Sequence, residues 1–269
     1  CHAVMVLILS FLEPKDVVKA TSDLRRGWGR YQIDDLLLHA RLTPTDSRPL
    51  FRVIDEKVWR KCFGDAALNA QGLSFRAHPS LQSLNALRER VRSLNELAAV
   101  PIENDAKFTL LTIPDGGLTL DQLIQLAATP QAGHLAAAFD YINPSVATQY
   151  GNVPVEGGMV AISNGVVQGS RNRPVADQRA LVERHGCQMP RLMDAVTLCV
   201  LTYMNSSATA TGPVRLLNDT PWTYTRCSEQ VTIFGGSYHL VVGGFAPAGL
   251  SVRSSNLGYE SGGVCALRK

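Results

Sequence analysis

The sequence lacks several features that define whole classes of protein. Charged residues make up only 18% of its 269 residues, and 26 Lys and Arg against 23 Asp and Glu give a net charge of +3. Nucleic-acid-binding proteins usually have a dense Lys and Arg stripe, so we expect no nucleic-acid partner. The longest apolar runs, such as Val4 to Leu9, fall far short of the roughly 18–20 residues that cross a bilayer. We therefore expect a soluble, cytoplasmic protein without a membrane partner.

Cysteine is present but not clustered. The six cysteines, which form no Cys-x-x-Cys pair and no dense disulfide framework, are Cys1, Cys62, Cys187, Cys199, Cys227 and Cys265. Zinc needs four converging ligands, and one close pair, His185 with Cys187, does not supply them. We therefore expect reduced, buried thiols, no metal and no cofactor. The start at Cys1 favours a fragment without its natural first residue over an acylated lipoprotein cysteine.

The chain has enough apolar residues for one or two folded domains. Hydrophobic residues form 45% of it, and no repeat of about 20–50 residues suggests a solenoid or a propeller. The run TPTDSRP at 43–49 has the composition of a linker. The sequence therefore predicts a helical module over 1–45 and an α+β domain over 50–269, with a further boundary near residue 145 as an open alternative.

The first 45 residues predict three short helices. Residues 4–12 are apolar and end before Pro14, which suits the first turn of a second helix. Gly27 and Gly29 end that helix, and a third short helix follows over 32–41. Helices this short are marginal alone, so a partner or the rest of the chain must cover their apolar residues.

This N-terminal pattern resembles an F-box. An apolar first helix, the start Pro14-Lys15-Asp16 of the second, and Leu24 with two arginines before Trp28 match that family, although its opening Leu-Pro dipeptide is absent. An F-box docks on the linker subunit of SCF-type ubiquitin ligases, so the resemblance implies that host subunit as a partner. The residues implied to make the contact are Ile8, Leu9, Leu12, Pro14, Val17, Leu24 and Trp28.

The longer part of the chain is similar to the C-terminal part of F-box-like proteins from chlamydia-related intracellular bacteria. The similarity is found at 110–114, 169–172, 220–230, 241–250 and 266–269. It implies a bacterial effector that acts in a eukaryotic host cytosol and couples an unknown target protein to the host ubiquitin ligase. No biochemical activity follows from this module, so we expect an adaptor without catalysis of its own.

Periodicity predicts a mixed fold for residues 50–269. Helical patterns occupy 56–63, 81–97, 118–128, 174–185 and 190–204, the last as the central core element. Strand patterns occupy 108–113 and 159–163, then 214–217, 222–227, 238–242, 250–253 and 264–267. The glycine-rich run 243–249 is predicted as a turn. The expected fold class is α+β, ending in an antiparallel sheet.

One predicted strand has a candidate recognition surface, formed by Trp222, Tyr224, Arg226 and Glu229. Trp, Tyr and Arg dominate the binding energy of protein interfaces, so these residues could form an exposed row for a partner. The alternative packs Trp222 and Tyr224 on the helix 190–204 and pairs Arg226 with Glu229 at the sheet edge.

Two further hypotheses remain open. The first is a hydrolase or transferase in residues 50–269, with a thiol site drawn from Cys187, Cys227, His185, His239 and Asp219. The basic turn 170–173, which precedes a helix, could also hold an anion there. The second is a single structural domain with no link to ubiquitin, in which the N-terminal helices pack on the rest of the chain.

Overall fold

The computed structural model describes residues 51–75, 96–97, 99–103, 108–209, 212–255 and 261–268. The chain divides into two compact units, Cys1–Phe51 with Pro79–Ala99, and Arg52–His78 with Val100–Lys269. Nearly all described residues belong to the second unit. The helical module predicted over 1–45, its seven implied contact residues and most of the helix predicted over 81–97 lie outside the described residues.

The described residues form six helices and nine strands in two sheets, so the domain is mixed α+β, as predicted at that level. In chain order the elements are β1 (Phe51–Ile54), α1 (Glu56–Phe63), α2 (Asp65–Ala70), β2 (Phe108–Ile113), α3 (Leu120–Ala128), β3 (Phe139–Ile142), α4 (Pro144–Tyr150), β4 (Gly158–Ser163), α5 (Val175–Glu183), α6 (Leu192–Ser207), β5 (Tyr224–Ile233), β6 (Gly236–Ala246), β7 (Gly249–Ser255), β8 (Gly262–Gly263) and β9 (Leu267–Arg268).

The second sheet differs from the predicted antiparallel arrangement at its two outer strands. The first sheet has the order β1-β2-β4-β9, and β4 is antiparallel to both β2 and β9. The second has the order β3-β7-β6-β5-β8, in which β5, β6 and β7 are antiparallel but β3 and β8 join in parallel. Of the predicted runs, 214–217 forms no strand, and 264–267 reaches the first sheet through β9.

Helix α6 is the centre of the core, as predicted. Every residue from Leu192 to Met204 is buried, and the helix packs against α1, α3 and strands of both sheets. A helix that is apolar on all sides is stable only when other elements surround it. One continuous set of buried apolar side chains therefore joins the two sheets through α6.

Local hydrogen bonds explain where α3 begins. The Thr119 hydroxyl accepts from the backbone N–H of Gln122 at 3.2 Å, and the Gln122 side chain accepts from the backbone N–H of Thr119 at 2.9 Å. This capping box satisfies two helix-end donors. The helix predicted over 118–128 therefore begins at Leu120.

Trp59 fastens α1 to the first sheet. Its side chain is fully buried, and its indole N–H donates to the Thr112 carbonyl oxygen in β2 at 2.8 Å. Its ring lies 5.5 Å from that of Phe63, centroid to centroid. One side chain thus supplies both apolar contact and a hydrogen bond between helix and strand.

Two carboxylates hold the N-terminus of α6. The backbone N–H of Leu192 lies 3.0 Å from both carboxylate oxygens of Glu229. The buried carboxylate of Asp194 accepts two hydrogen bonds from the Arg191 guanidinium, at 2.8 and 2.9 Å. Negative charge at a helix N-terminus is favourable. Burial nevertheless raises the pKa of Glu229 above its ordinary value of 4.5, and the nearby Asp194 charge raises it further.

We expect Glu229→Gln to remove a pH-dependent loss of stability. The pKa of Glu229 is higher in the folded state than in the unfolded state. Its contribution to stability is therefore complete at pH values below the unfolded-state pKa, and it is lost as the pH rises through the folded-state pKa. Glutamine keeps an acceptor for Leu192 but does not titrate. The free energy of unfolding should therefore fall with rising pH, from 4.5 upward, more in the wild type than in the variant.

Urea titrations at several pH values measure this difference. Glu183→Gln, which replaces an exposed carboxylate of α5, is the matched control. A stability difference between wild type and Glu229→Gln that does not change with pH would contradict the assignment.

Side chains of α4 complete the outer edge of β5. Among the described residues, β8 pairs with β5 at Tyr224 and Thr225 alone. Further along, the Gln149 amide donates to the Thr232 carbonyl oxygen at 3.0 Å and accepts from the Thr232 N–H at 3.2 Å. The Tyr150 hydroxyl donates to the Gln230 carbonyl oxygen at 2.6 Å. The amide of Gln149 thus makes the pair of bonds that a neighbouring strand would make.

Candidate recognition surface

Four side chains form a continuous row across one face of the second sheet. The rings of Trp222 and Tyr224 lie 6.2 Å apart, centroid to centroid, and are nearly parallel at 4°. The Arg253 guanidinium of β7 lies 5.9 Å from the Tyr224 ring centroid and 5.3 Å from that of Tyr141 in β3. These distances suit aromatic stacking and cation–π contacts. We call these four residues the aromatic–arginine row.

The row is exposed at both ends and buried at Tyr224 between them. Trp222 is 49% exposed and Tyr141 42% exposed, and Arg253 is exposed as well. Tyr224 is buried between Trp222 and Arg253. The row therefore presents aromatic surface and one guanidinium on the face of the sheet.

Glycine at position 244 makes the stack of Trp222 on Tyr224 possible. Gly244 has φ +56°, and a Cβ there would lie 2.7 Å from the Trp222 ring. Glycine alone tolerates both the backbone conformation and the close approach. The turn predicted over 243–249 is confined to Pro247 and Ala248, while Gly243 and Gly244 belong to β6.

Arg226 and Glu229 do not join Trp222 and Tyr224 in one exposed row. Arg226 is only 1% exposed, and Glu229 is half-buried at the start of α6. Arg226 follows Tyr224 by two residues in regular pairing with β6, so it lies on the same face as Tyr224, and it is buried there against Gln178 of α5. The register shift falls between Arg226 and Gln230, so it changes the face of the residues that follow Arg226, among them Glu229.

Arg226 belongs to a buried polar network. Its guanidinium donates to the Gln178 side-chain oxygen at 2.8 Å. The Gln178 amide nitrogen, also buried, donates to the carbonyl oxygens of Ser170 at 2.8 Å and Gly262 at 3.2 Å. This network, and not the predicted pairing of Arg226 with Glu229, joins α5 to β5 and β8.

Arg253 and Tyr141 were not among the candidates that the sequence suggested. The available signal was the alternation in β7, where polar Ser251, Arg253 and Ser255 interleave with Leu250 and Val252. That pattern places Arg253 on the face opposite the core. Its ring partners come from β3 and β5, and their positions depend on long-range strand pairing.

The proposed thiol sites are not assembled. Burial raises the pKa of the Cys227 thiol well above 9.0 and that of Cys187 to about 11. Nδ1 of His239 lies 3.2 Å from the carbonyl oxygen of Cys227, and the Cys187 sulfur lies 3.6 Å from the His185 carbonyl oxygen. Since the thiolate is the nucleophilic form, these protonated thiols are poor nucleophiles at neutral pH.

The basic turn at 170–173 has structural partners. Nε of Arg171 donates to the Glu103 carboxylate at 2.7 Å, and its terminal nitrogen donates to the Thr223 hydroxyl at 2.9 Å. The Ser170 hydroxyl accepts from the backbone N–H of Val264 at 3.1 Å. The turn considered as a possible anion site thus holds Thr223, directly before β5, through Arg171.

Neither the described residues nor comparison with known proteins assigns this chain to a family. In the part of the chain that the structure describes, no three His, Cys, Asp or Glu side chains are grouped to hold a metal ion, and no helix is long and apolar enough to cross a bilayer. No family model, curated protein or solved structure matches this chain. The fold and the surface define it as a mixed α+β domain with an exposed aromatic–arginine row.

Proposed function

We propose that this chain is a bacterial F-box-type adaptor. Residues 1–45 dock on the linker subunit of a host SCF ubiquitin ligase, and the α+β domain binds a target protein. The docking half of the proposal is supported by the sequence pattern from Ile8 to Trp28. The target-binding half is supported by the aromatic–arginine row.

The row favours a binding role for physical reasons. Trp and Tyr supply large contact areas at a small cost in side-chain entropy, Arg supplies several hydrogen-bond donors, and all three are enriched at interface hot spots. Here they extend from a sheet whose other face is packed on the core. The candidate nucleophiles Cys187 and Cys227 are buried instead, with raised pKa values.

Ile8→Asp tests the docking half. Burying an unpaired carboxylate in an apolar interface costs about 2 kcal/mol or more, so we expect the Kd for the purified SCF linker subunit to rise by more than about tenfold. Ser10→Asp adds the same charge to the first predicted helix outside the implied contact set and should keep wild-type affinity. Biolayer interferometry with the 269-residue chain measures all three proteins.

Absence of linker binding by the wild-type chain would overturn the docking half. If Ile8→Asp also lowers the unfolding temperature of the whole chain while the wild type shows no linker binding, the single-domain hypothesis gains support. Equal binding by wild type and Ile8→Asp would reject the implied contact surface.

A further inference from the structure

We infer that the aromatic–arginine row binds an acidic, extended segment of the target, with a carboxylate on Arg253 and an apolar side chain against Trp222. This inference rests on the proposed target-binding function and adds the chemistry of the partner. Three observations carry it: the contacts of Arg253, the position of Trp222, and the charges around the row.

Ring contacts orient the Arg253 guanidinium, and its N–H donors have no acceptor among the described residues. Within the described part of the chain, its guanidinium contacts the rings of Tyr141 and Tyr224 and has no carboxylate or hydrogen-bond acceptor. Ring contacts fix the plane of a guanidinium and leave its N–H donors at the edge of that plane. A carboxylate approaching the edge can accept two parallel hydrogen bonds. The row therefore provides a pre-oriented site for one carboxylate.

Trp222 provides a second contact point at a defined separation. Tyr224 lies between the two points, 6.2 Å from the Trp222 ring and 5.9 Å from the Arg253 guanidinium. An extended chain advances about 3.3 Å per residue, so about two to four residues bridge the two points. The half-exposed indole is held against Tyr224 and can cover an apolar side chain at little entropic cost.

The surrounding charges favour an acidic peptide over a nucleic acid. Arg253 is the single charged member of the row. Near Trp222, Arg171 is already paired with Glu103. Near Tyr141, the carboxylate of Asp140 lies 3.5 Å from the Ser251 hydroxyl, so a partner that brings a single carboxylate to Arg253 meets less repulsion there than a chain of phosphates does. Nucleic-acid affinity needs several cations that contact phosphates, whereas a peptide carboxylate needs one guanidinium.

A displayed library of short random peptides, selected on the full chain, tests this inference. Enriched peptides should combine Asp or Glu with an aromatic or aliphatic residue about two to four positions away. Fluorescence polarisation with one labelled enriched peptide should then show a Kd about tenfold or more higher for Arg253→Gln and for Trp222→Ala. Arg253→Lys keeps the charge without the planar fork and should be intermediate.

Matched controls distinguish loss of the Arg253 contact from a change in net charge or a loss of folding. Arg52→Gln, an exposed arginine of β1, should bind the peptide like wild type. Replacing the Asp or Glu of the peptide by Asn or Gln should weaken binding to the wild type but not to Arg253→Gln, because both changes remove the same contact. Each variant should keep the thermal unfolding temperature of the wild type.

Three results would overturn the inference. They are failure to enrich any peptide, equal binding of the enriched peptide by wild type and Arg253→Gln, and displacement of the labelled peptide by unlabelled oligothymidylate at low concentration. Arg253→Gln should leave binding to the SCF linker subunit unchanged. Loss of linker docking and loss of peptide binding therefore give distinguishable results.

Discussion

Trp59→Ala should lower the free energy of unfolding by about 3–5 kcal/mol. The substitution removes a fully buried indole from the contact between α1 and β2 and leaves a cavity beside Phe63. It also leaves the Thr112 carbonyl oxygen without the donor that lies 2.8 Å away in the wild type. Chemical denaturation followed by far-UV circular dichroism measures the loss.

Two variants divide that effect into its parts. Trp59→Phe keeps most of the apolar volume but removes the N–H, so its cost should be about 1–3 kcal/mol. Lys61→Ala changes an exposed position of the same helix and should stay within about 0.5 kcal/mol of the wild type. A loss below about 1 kcal/mol for Trp59→Ala would contradict the placement of this helix in the core.

Arg226→Ala should cost about 2–4 kcal/mol of stability. The change removes a buried side chain and the donor that the Gln178 side-chain oxygen accepts from at 2.8 Å. The Gln178 amide remains bound to the carbonyl oxygens of Ser170 and Gly262, so it is held in place with an unsatisfied acceptor. Arg179→Ala, at the exposed position next to Gln178, should have little effect.

A double-mutant cycle tests whether Arg226 acts through Gln178. The free energies of unfolding of Arg226→Ala, Gln178→Ala and the double variant should show a coupling of about 0.5–3 kcal/mol, because the residues share one hydrogen bond. Strictly additive losses would reject the network. Lost peptide binding without lost stability in Arg226→Ala would instead favour the recognition role that the sequence suggested.

Elements with a strong local signal could be predicted from the sequence. The helix expected over 56–63 has those bounds because Asp55 caps it and its apolar residues share one face. The capping box at Thr119 marks α3 in the same local way. α6 is apolar along most of its length, so its burial follows from composition.

Features set by distant pairing could not be predicted. β3 is partly exposed and shows no clean alternation, and its strand character comes from its pairing with β7. The run expected at 264–267 joins the first sheet because it pairs with β4. The bulge after Arg226 depends on the register with β6 and affects the face that Glu229 occupies, whereas the burial of Arg226 depends on its contact with Gln178 of α5. The partners of Arg253 in the row depend on the same long-range contacts.

The bonds from α4 to β5 have a consequence for the behaviour of the protein at high concentration. An open strand edge is a template on which another chain can add a strand, and edge-to-edge pairing of this kind begins many aggregates. Gln149 and Tyr150 occupy backbone groups of Thr232 and Gln230 that such a chain would need. The helix therefore protects this side of the sheet from self-association, while the aromatic–arginine row stays accessible on its face.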